Sequence, residues 1–243
     1  MKIQQLQIKG HKKNICEDVI LLCKPCEPLL NYSFIGIADG QSSRTHCIEG
    51  AKTSLKTISD YFQKQNLSSF PLRNSDEIQY EFMGVIHNLH QKLKFLASKY
   101  NTTSDEFAST ICCMACDPLT GTFVLTHLGD GCILGITKDN TVKLLSQPEN
   151  GFTKNLTYLT TSPDVVHHTR ISHGNLMHYK CIYLMTDGAA DHLFKNNFLH
   201  SEMKTMLQNQ DFDALSRYLK ESRPSDDASL LMITIETIYD KIK

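Results

Sequence analysis

Two stretches of the chain close in the same way. FIGIADGQSS, residues 34–43, and IYLMTDGAADHLF, residues 182–194, are apolar runs that end on Asp-Gly, at Asp39 and Asp187. Two more carboxylates stand at comparable junctions, Asp130 in HLGDG and Asp226 in PSDDAS, and the pair Glu17-Asp18 opens a further apolar run. Glycine after aspartate permits a tight turn and lets a backbone carbonyl come close to a ligand. Carboxylates gathered at strand ends repel one another unless a cation neutralises them. Oxygen donors without converging Cys or His favour Mg²⁺ or Mn²⁺ over Zn²⁺. Against this stands the plainer fact that Asp-Gly is a common turn dipeptide. Spacing alone leaves a metal site and a set of ordinary turns evenly matched.

The elements that would position these carboxylates follow from hydrophobic periodicity. Ile3–Ile8 alternates like a half-buried strand, and Asp18–Cys23 and Tyr32–Ala38 are denser apolar strands. Ala51, Leu55, Ile58 and Phe62 predict a helix over Ile48–Gln63. Ile78, Phe82, Val85, Leu89, Leu93 and Leu96 predict a longer one over Ser75–Ser98, with Ser75, Asp76 and Glu77 suiting its start. Ser109–Cys116 and Thr122–Leu128 flank the turn Asp117-Pro118-Leu119-Thr120-Gly121; Gly131–Thr137 and Thr141–Leu145 flank Lys138-Asp139-Asn140. Ser146–Asn175 is weakly patterned and reads as a long loop or flap. His178–Met185 and Ala228–Thr237 read as strands, and Ala189–Phe194, Ser201–Asn209 and Phe212–Glu221 as helices. The order is not alternating βαβ. Blocks of strands with a pair of long helices predict antiparallel sheets with helices packed outside them, an α+β layout.

Composition narrows the class. A length of 243 residues suits one domain, taken here as 1–243, or at most two small ones. A net charge of −1 gives no general attraction to nucleic acid or anionic lipid. MKIQQLQIKGHKK has no long apolar core of a secretory signal, and no apolar run approaches a membrane span, so a cytoplasmic protein is expected. The nine cysteines are odd in number, and Cys112, Cys113, Cys116, Cys132 and Cys181 lie inside apolar runs, as reduced buried thiols do.

Taken together and in order, KGHKKNICED, FIGIADG, FAST, HLGDG, YLMTDGAAD and SDDASLLMI resemble the metal-dependent protein phosphatase family of the protein phosphatase 2C type, in a divergent bacterial branch. The match runs from about Gly10 to Ile235. The resemblance implies a two-layer antiparallel β-sandwich flanked by antiparallel helix pairs. It implies that Asp39 bridges two ions, with the Gly40 carbonyl completing one of them and Asp187 and Asp226 holding the other. Glu17 would act through water and Asp18 would support it. Asp130 and Asp191 match positions that hold a third, weaker metal in bacterial members. Ser109-Thr110 matches a structural strand motif without a catalytic role. The implied activity is hydrolysis of phosphoserine or phosphothreonine in a phosphorylated protein, by a water activated at a dinuclear Mn²⁺ or Mg²⁺ centre. A cognate Ser/Thr kinase would oppose it.

The chain departs from the family pattern at several places. The phosphate-binding Arg four residues before Glu17 is Lys13, which can pair with phosphate only as a point charge; Lys12 or His11 could take its place, or Lys13 could simply be solvated. Gln41 stands where some relatives carry a His, and Asp227 where the family usually has Asn. Gly131-Cys132 replaces a Ser-Arg. These departures motivate two alternatives: a catalytically weak phosphate- or partner-binding module on the same fold, and a phosphatase of small phosphate esters. Cys23/Cys26 and Cys113/Cys116 form two CxxC spacings, but residues three apart on a strand face opposite sides, which favours buried thiols over a zinc or redox pair. His87/His90 and His167-His168 lack an evident third ligand and read as surface or packed histidines.

Overall fold

The computed structural model describes residues 1–23, 33–149, 157–195 and 198–235. Two compact units emerge. One comprises Met1–Cys16, Gly131–Pro148 and the chain from Asn175 onward; the other comprises Glu17–Asp130 and Glu149–Gly174.

The second unit is built on five strands, β2 (Val19–Cys23), β3 (Ser33–Ala38), β4 (Ile111–Cys116), β5 (Thr122–Leu128) and β8 (Arg170–Asn175). They form one sheet in the order β2, β3, β4, β5, β8. The pairings from β2 to β5 are antiparallel. Every residue of β3, β4 and β5 is buried, which is why these strands read as continuous apolar runs rather than alternating ones. Helix α1 (Cys47–Phe62) lays Ala51, Leu55, Ile58 and Phe62 on a core with Phe34, Cys113 and Val124. Helix α2 (Ser75–Tyr100) adds Ile78, Phe82, Val85 and Ile86. Full burial of each such side chain contributes about 1.5–3 kcal/mol. Asn74 caps α2 by accepting from the Asp76 N–H at 3.0 Å, and Asn101, left-handed at φ 54°, ends it.

The first unit holds the other five strands, β1 (Lys2–Ile8), β6 (Cys132–Thr137), β7 (Val142–Ser146), β9 (Tyr179–Met185) and β12 (Ala228–Thr234). Their sheet is ordered β1, β12, β9, β6, β7 and is antiparallel throughout. Helices α4 (Asp187–Leu193), α5 (Ser201–Gln208) and α6 (Phe212–Glu221) pack Leu193, Leu207, Leu215 and Leu219 against Tyr183, Met185 and Leu230. A two-residue pairing, β10 (Phe194–Lys195) with β11 (Phe198–Leu199), links α4 to α5. The mixed α+β class with two antiparallel sheets and helices is the expected one.

One local expectation needs correction, and one stretch without a reading acquires structure. The stretch 146–175 is not all loop: among its described residues it forms α3 (Val165–His168) and the edge strand β8. Its pattern is weak because an edge strand need not alternate, and β8 carries only half-buried and exposed residues. Leu67–Leu72, left unassigned by periodicity, is a 3-10 turn that buries Phe70 although it contains Pro71. Cys26, residues 150–156 and the expected end of the last strand at 236–237 lie outside the described residues.

Candidate active site

In the second unit Asp39 follows β3 directly and is held by its backbone. Its N–H donates to Thr110 Oγ1 at 2.9 Å and its carbonyl accepts from the Thr110 N–H at 2.8 Å. Gly40 bridges to Ser109 and donates to the Glu17 carbonyl at 3.3 Å, and Gln41 donates to the Ala108 carbonyl at 3.1 Å. A Cβ on Gly40 would stand 2.9 Å from the Glu17 carbonyl and 3.0 Å from Cys47 Cβ, so only glycine fits. The FAST segment is therefore the brace of the Asp39 turn. It is fixed in turn by Thr160, whose N–H donates to the Ser109 carbonyl at 2.9 Å, and by His90, whose Nε2 lies 2.8 Å from the Thr160 carbonyl and must carry the proton.

Around this turn lie Glu17, Asp18 and Cys47. Asp18 is buried, and the Cys47 thiol donates to Glu17 Oε1 at 3.8 Å. Burial, and then the Glu17 charge, push the Cys47 thiol up to about 11, so it stays protonated and acts as a donor. Sequence reasoning missed Cys47 because no spacing connects it to Glu17. Gln41 accepts from Arg44 Nε at 3.1 Å, and Arg44 also faces Glu106 at 3.6 Å. Asp130, after β5, accepts from Thr157 Oγ1.

The first unit carries the other carboxylates. Thr186 ties the end of β9 to the start of β12, donating its N–H to the Ser229 carbonyl at 3.1 Å and accepting from the Ser229 N–H at 3.0 Å through Oγ1. Asp187 opens α4, and Asp191 lies one turn on, exposed. Gly188 sits so close to the other strand end that a Cβ on it would fall 2.1 Å from the Asp227 carbonyl. Lys13 pairs with Asp226 and, at 3.0 Å, with Asp227 Oδ2. Asp227 Oδ1 accepts from the Gly10 N–H at 2.8 Å. Gly10 itself is pressed against the Ser225–Asp226 backbone, where a Cβ would stand 2.7 Å from the Ser225 carbonyl.

Each unit thus holds acidic oxygens on strand ends braced by backbone hydrogen bonds. Among the described residues, no three His, Cys, Asp or Glu side chains converge into a ready metal cage. The donor chemistry is nonetheless that of a hard divalent cation: carboxylate oxygens, with the backbone carbonyl of Gly40 beside Asp39 in a turn packed against Glu17 and Cys47. Two of the other metal-like spacings are accounted for by packing among the described residues. Cys113 and Cys116 are buried thiols outside any disulfide, pushed up to about 12 by burial. His168 Nδ1 lies 2.7 Å from Glu149 Oε1, and its ring stacks on Tyr158. No helix among the described residues is long and apolar enough to cross a membrane.

The family model described as protein phosphatase 2C matches residues 10–222, and the chain belongs to that family. Solved structures agree in fold. A bacterial serine phosphatase is 14% identical with a TM-score of 0.69, covering 97% of this chain and 98% of its own. The S. agalactiae serine/threonine phosphatase is 15% identical with a TM-score of 0.70, covering 97% and 99%. RsbX, solved in complex with magnesium, is 14% identical with a TM-score of 0.57, covering 95% and 94%. Comparison with curated protein sequences gave no match.

Proposed function

We propose that the chain is a Mn²⁺- or Mg²⁺-dependent phosphatase acting on phosphoserine or phosphothreonine in proteins, with 1–243 as one catalytic domain. The observation that carries this reading is the bracing of Asp39: two hydrogen bonds to Thr110 and the Gly40 bridge fix an acidic turn in which glycine alone fits. Family membership supports the reaction class. The magnesium complex of RsbX and the serine/threonine phosphatase of S. agalactiae support the metal and the substrate.

By the family resemblance, Asp39, the Gly40 carbonyl, Asp187 and Asp226 would hold two ions, and Asp130 and Asp191 a weaker third. When bound, such ions supply Lewis acidity: they neutralise phosphate charge and make a nucleophilic water available near neutral pH. The protein's own part is positioning. Thr110 fixes the Asp39 turn, Thr186 fixes the turn at Asp187, and the Cys47 thiol orients Glu17. Gln41 cannot titrate, so it supplies no proton to the leaving group. A cytoplasmic setting and an opposing Ser/Thr kinase belong to the same proposal.

The test compares a phosphothreonine peptide with p-nitrophenyl phosphate, each with Mn²⁺ and with EDTA. Metal-dependent turnover that favours the peptide supports the reading. Preference for the small ester would move the substrate class, and no turnover of either by folded protein would point to a binding module.

A further inference from the structure

Three neighbouring features of the first unit fit together. By the family resemblance, Lys13 would stand at the phosphate-binding arginine's place and Asp227 where asparagine is usual. The two form an ion pair at 3.0 Å across 214 residues of sequence separation. The Asp227 side chain is wholly buried and that of Lys13 is only 14% exposed, whereas Asp226, the next carboxylate on Lys13, is 46% exposed. Asp227 also accepts the Gly10 N–H, so the same carboxylate fixes both the backbone and the ammonium of the Gly10–Lys13 loop. His11 closes the loop, with both its N–H and its Nδ1 at 3.0 Å from the Pro224 carbonyl.

We propose that Asp227 recruits Lys13 as a built-in counter-ion for Asp226, so that Lys13 competes with a divalent cation for that carboxylate instead of binding the substrate phosphate. The inference rests on the proposed metal-dependent reading. A buried carboxylate is tolerated only when paired and hydrogen-bonded. The asparagine usual at this position is neutral and would place no such demand on a neighbouring cation. With aspartate there, a cation is required, and a lysine with a flexible stem and a compact charge can satisfy the buried Asp227 while reaching Asp226. The ammonium is thereby committed to two carboxylates. Lys13 keeps a positive charge on the carboxylate that would hold the ion. Entry then requires Lys13 to release Asp226 while keeping Asp227, and the observed affinity falls accordingly. The two departures from the family pattern are on this account one coupled change.

The test measures Mn²⁺ binding by titration calorimetry and by the loss of the free-ion electron paramagnetic resonance signal. It compares wild type with the charge-neutral pair Lys13→Met/Asp227→Asn, because Lys13→Met alone would strand a buried charge and endanger folding. Circular dichroism confirms that the double variant is folded. Inorganic phosphate is then titrated as a competitive inhibitor. The proposal expects Mn²⁺ to bind the double variant at least tenfold more tightly, with the inhibition constant of phosphate within twofold of wild type. Unchanged Mn²⁺ affinity, or phosphate inhibition weakened tenfold, overturns it and returns Lys13 to the substrate. Mn²⁺ binding to neither protein overturns this inference together with the metal-dependent reading, whereas equal binding to both defeats this inference alone.

Discussion

Gly188→Ala sets two effects of opposite sign against each other at the Asp187 turn. Gly188 lies in the first turn of α4, where alanine would ordinarily stabilise the helix by up to about 1 kcal/mol. Here the new methyl would lie 2.1 Å from the Asp227 carbonyl and 3.0 Å from its carbon. The obstacle is backbone, so no rotamer change relieves it, and a shift of about 1 Å is needed to restore normal contact. Overpacking of this kind costs about 1–3 kcal/mol, occasionally more. For a backbone obstacle this close the upper end of that range applies, so the clash wins, and the expected net loss is about 2 kcal/mol, or about 4–8 °C in Tm for a chain of this size. Gly84→Ala is the control: Gly84 lies within α2, and its Cβ would meet nothing within 4 Å, so only the propensity term remains and stability should rise by up to about 1 kcal/mol. Both are read by thermal and urea unfolding, with Mn²⁺ affinity measured alongside. The displaced Asp187 and Asp226–Asp227 turns should weaken metal binding in Gly188→Ala and leave it unchanged in Gly84→Ala. A Gly188→Ala protein as stable as wild type, with unchanged affinity, would refute the close packing of the two carboxylate turns.

Other perturbations follow from the same geometry. Lys13→Met alone should destabilise by about 3–5 kcal/mol by stranding the Asp227 charge, and adding Asp227→Asn should recover most of it in a double-mutant cycle; additive losses would deny the coupling. His127 is buried beside Arg170, and burial, then the Arg170 charge, push its imidazole down to about 3. Its folded pKa lies below the unfolded value of about 6.5, so the unfolded chain binds the extra proton. The associated stability is complete above that value and is lost as pH falls, by about 2 kcal/mol at pH 5. A His127→Gln protein should lose less stability than wild type between pH 7 and pH 5 in urea titrations; an identical pH dependence would exclude the histidine. Cys113 and Cys116, with thiols pushed up to about 12 by burial, should not react with a thiol reagent in the native protein, and Cys113→Ala/Cys116→Ala should leave metal content unchanged; retained zinc lost in that variant would restore the cysteine-site reading.

What the sequence made legible was what is local or periodic. The stripe Ala51, Leu55, Ile58, Phe62 placed α1 within a residue at each end, because burial of one helix face writes a 3.6-residue period. The Asp-Gly junctions located Asp39 and Asp187 because glycine is demanded by close backbone approach on the far side, as the 2.9 Å and 2.1 Å distances at Gly40 and Gly188 show. What escaped was non-local or edge-like. Nothing in the spacing joins Cys47 to Glu17, Thr160 to Ser109, or Lys13 to Asp227, since those pairs meet only through tertiary packing. Strand β8 was hidden by its partly solvated edge position, and the Leu67–Leu72 turn by its proline and its lack of a helical period. The role of FAST was seen only as structural; the chain of hydrogen bonds from His90 through Thr160 and Ser109–Thr110 to Asp39 gives that role its content.

The most direct test is phosphate release from a phosphothreonine peptide by wild type and Asp39→Asn, each in Mn²⁺ and in EDTA. The account predicts turnover by wild type in Mn²⁺, none in EDTA, and a loss of at least a hundredfold in Asp39→Asn with the fold intact by circular dichroism. Turnover that persists in EDTA, or that survives in Asp39→Asn, would contradict it.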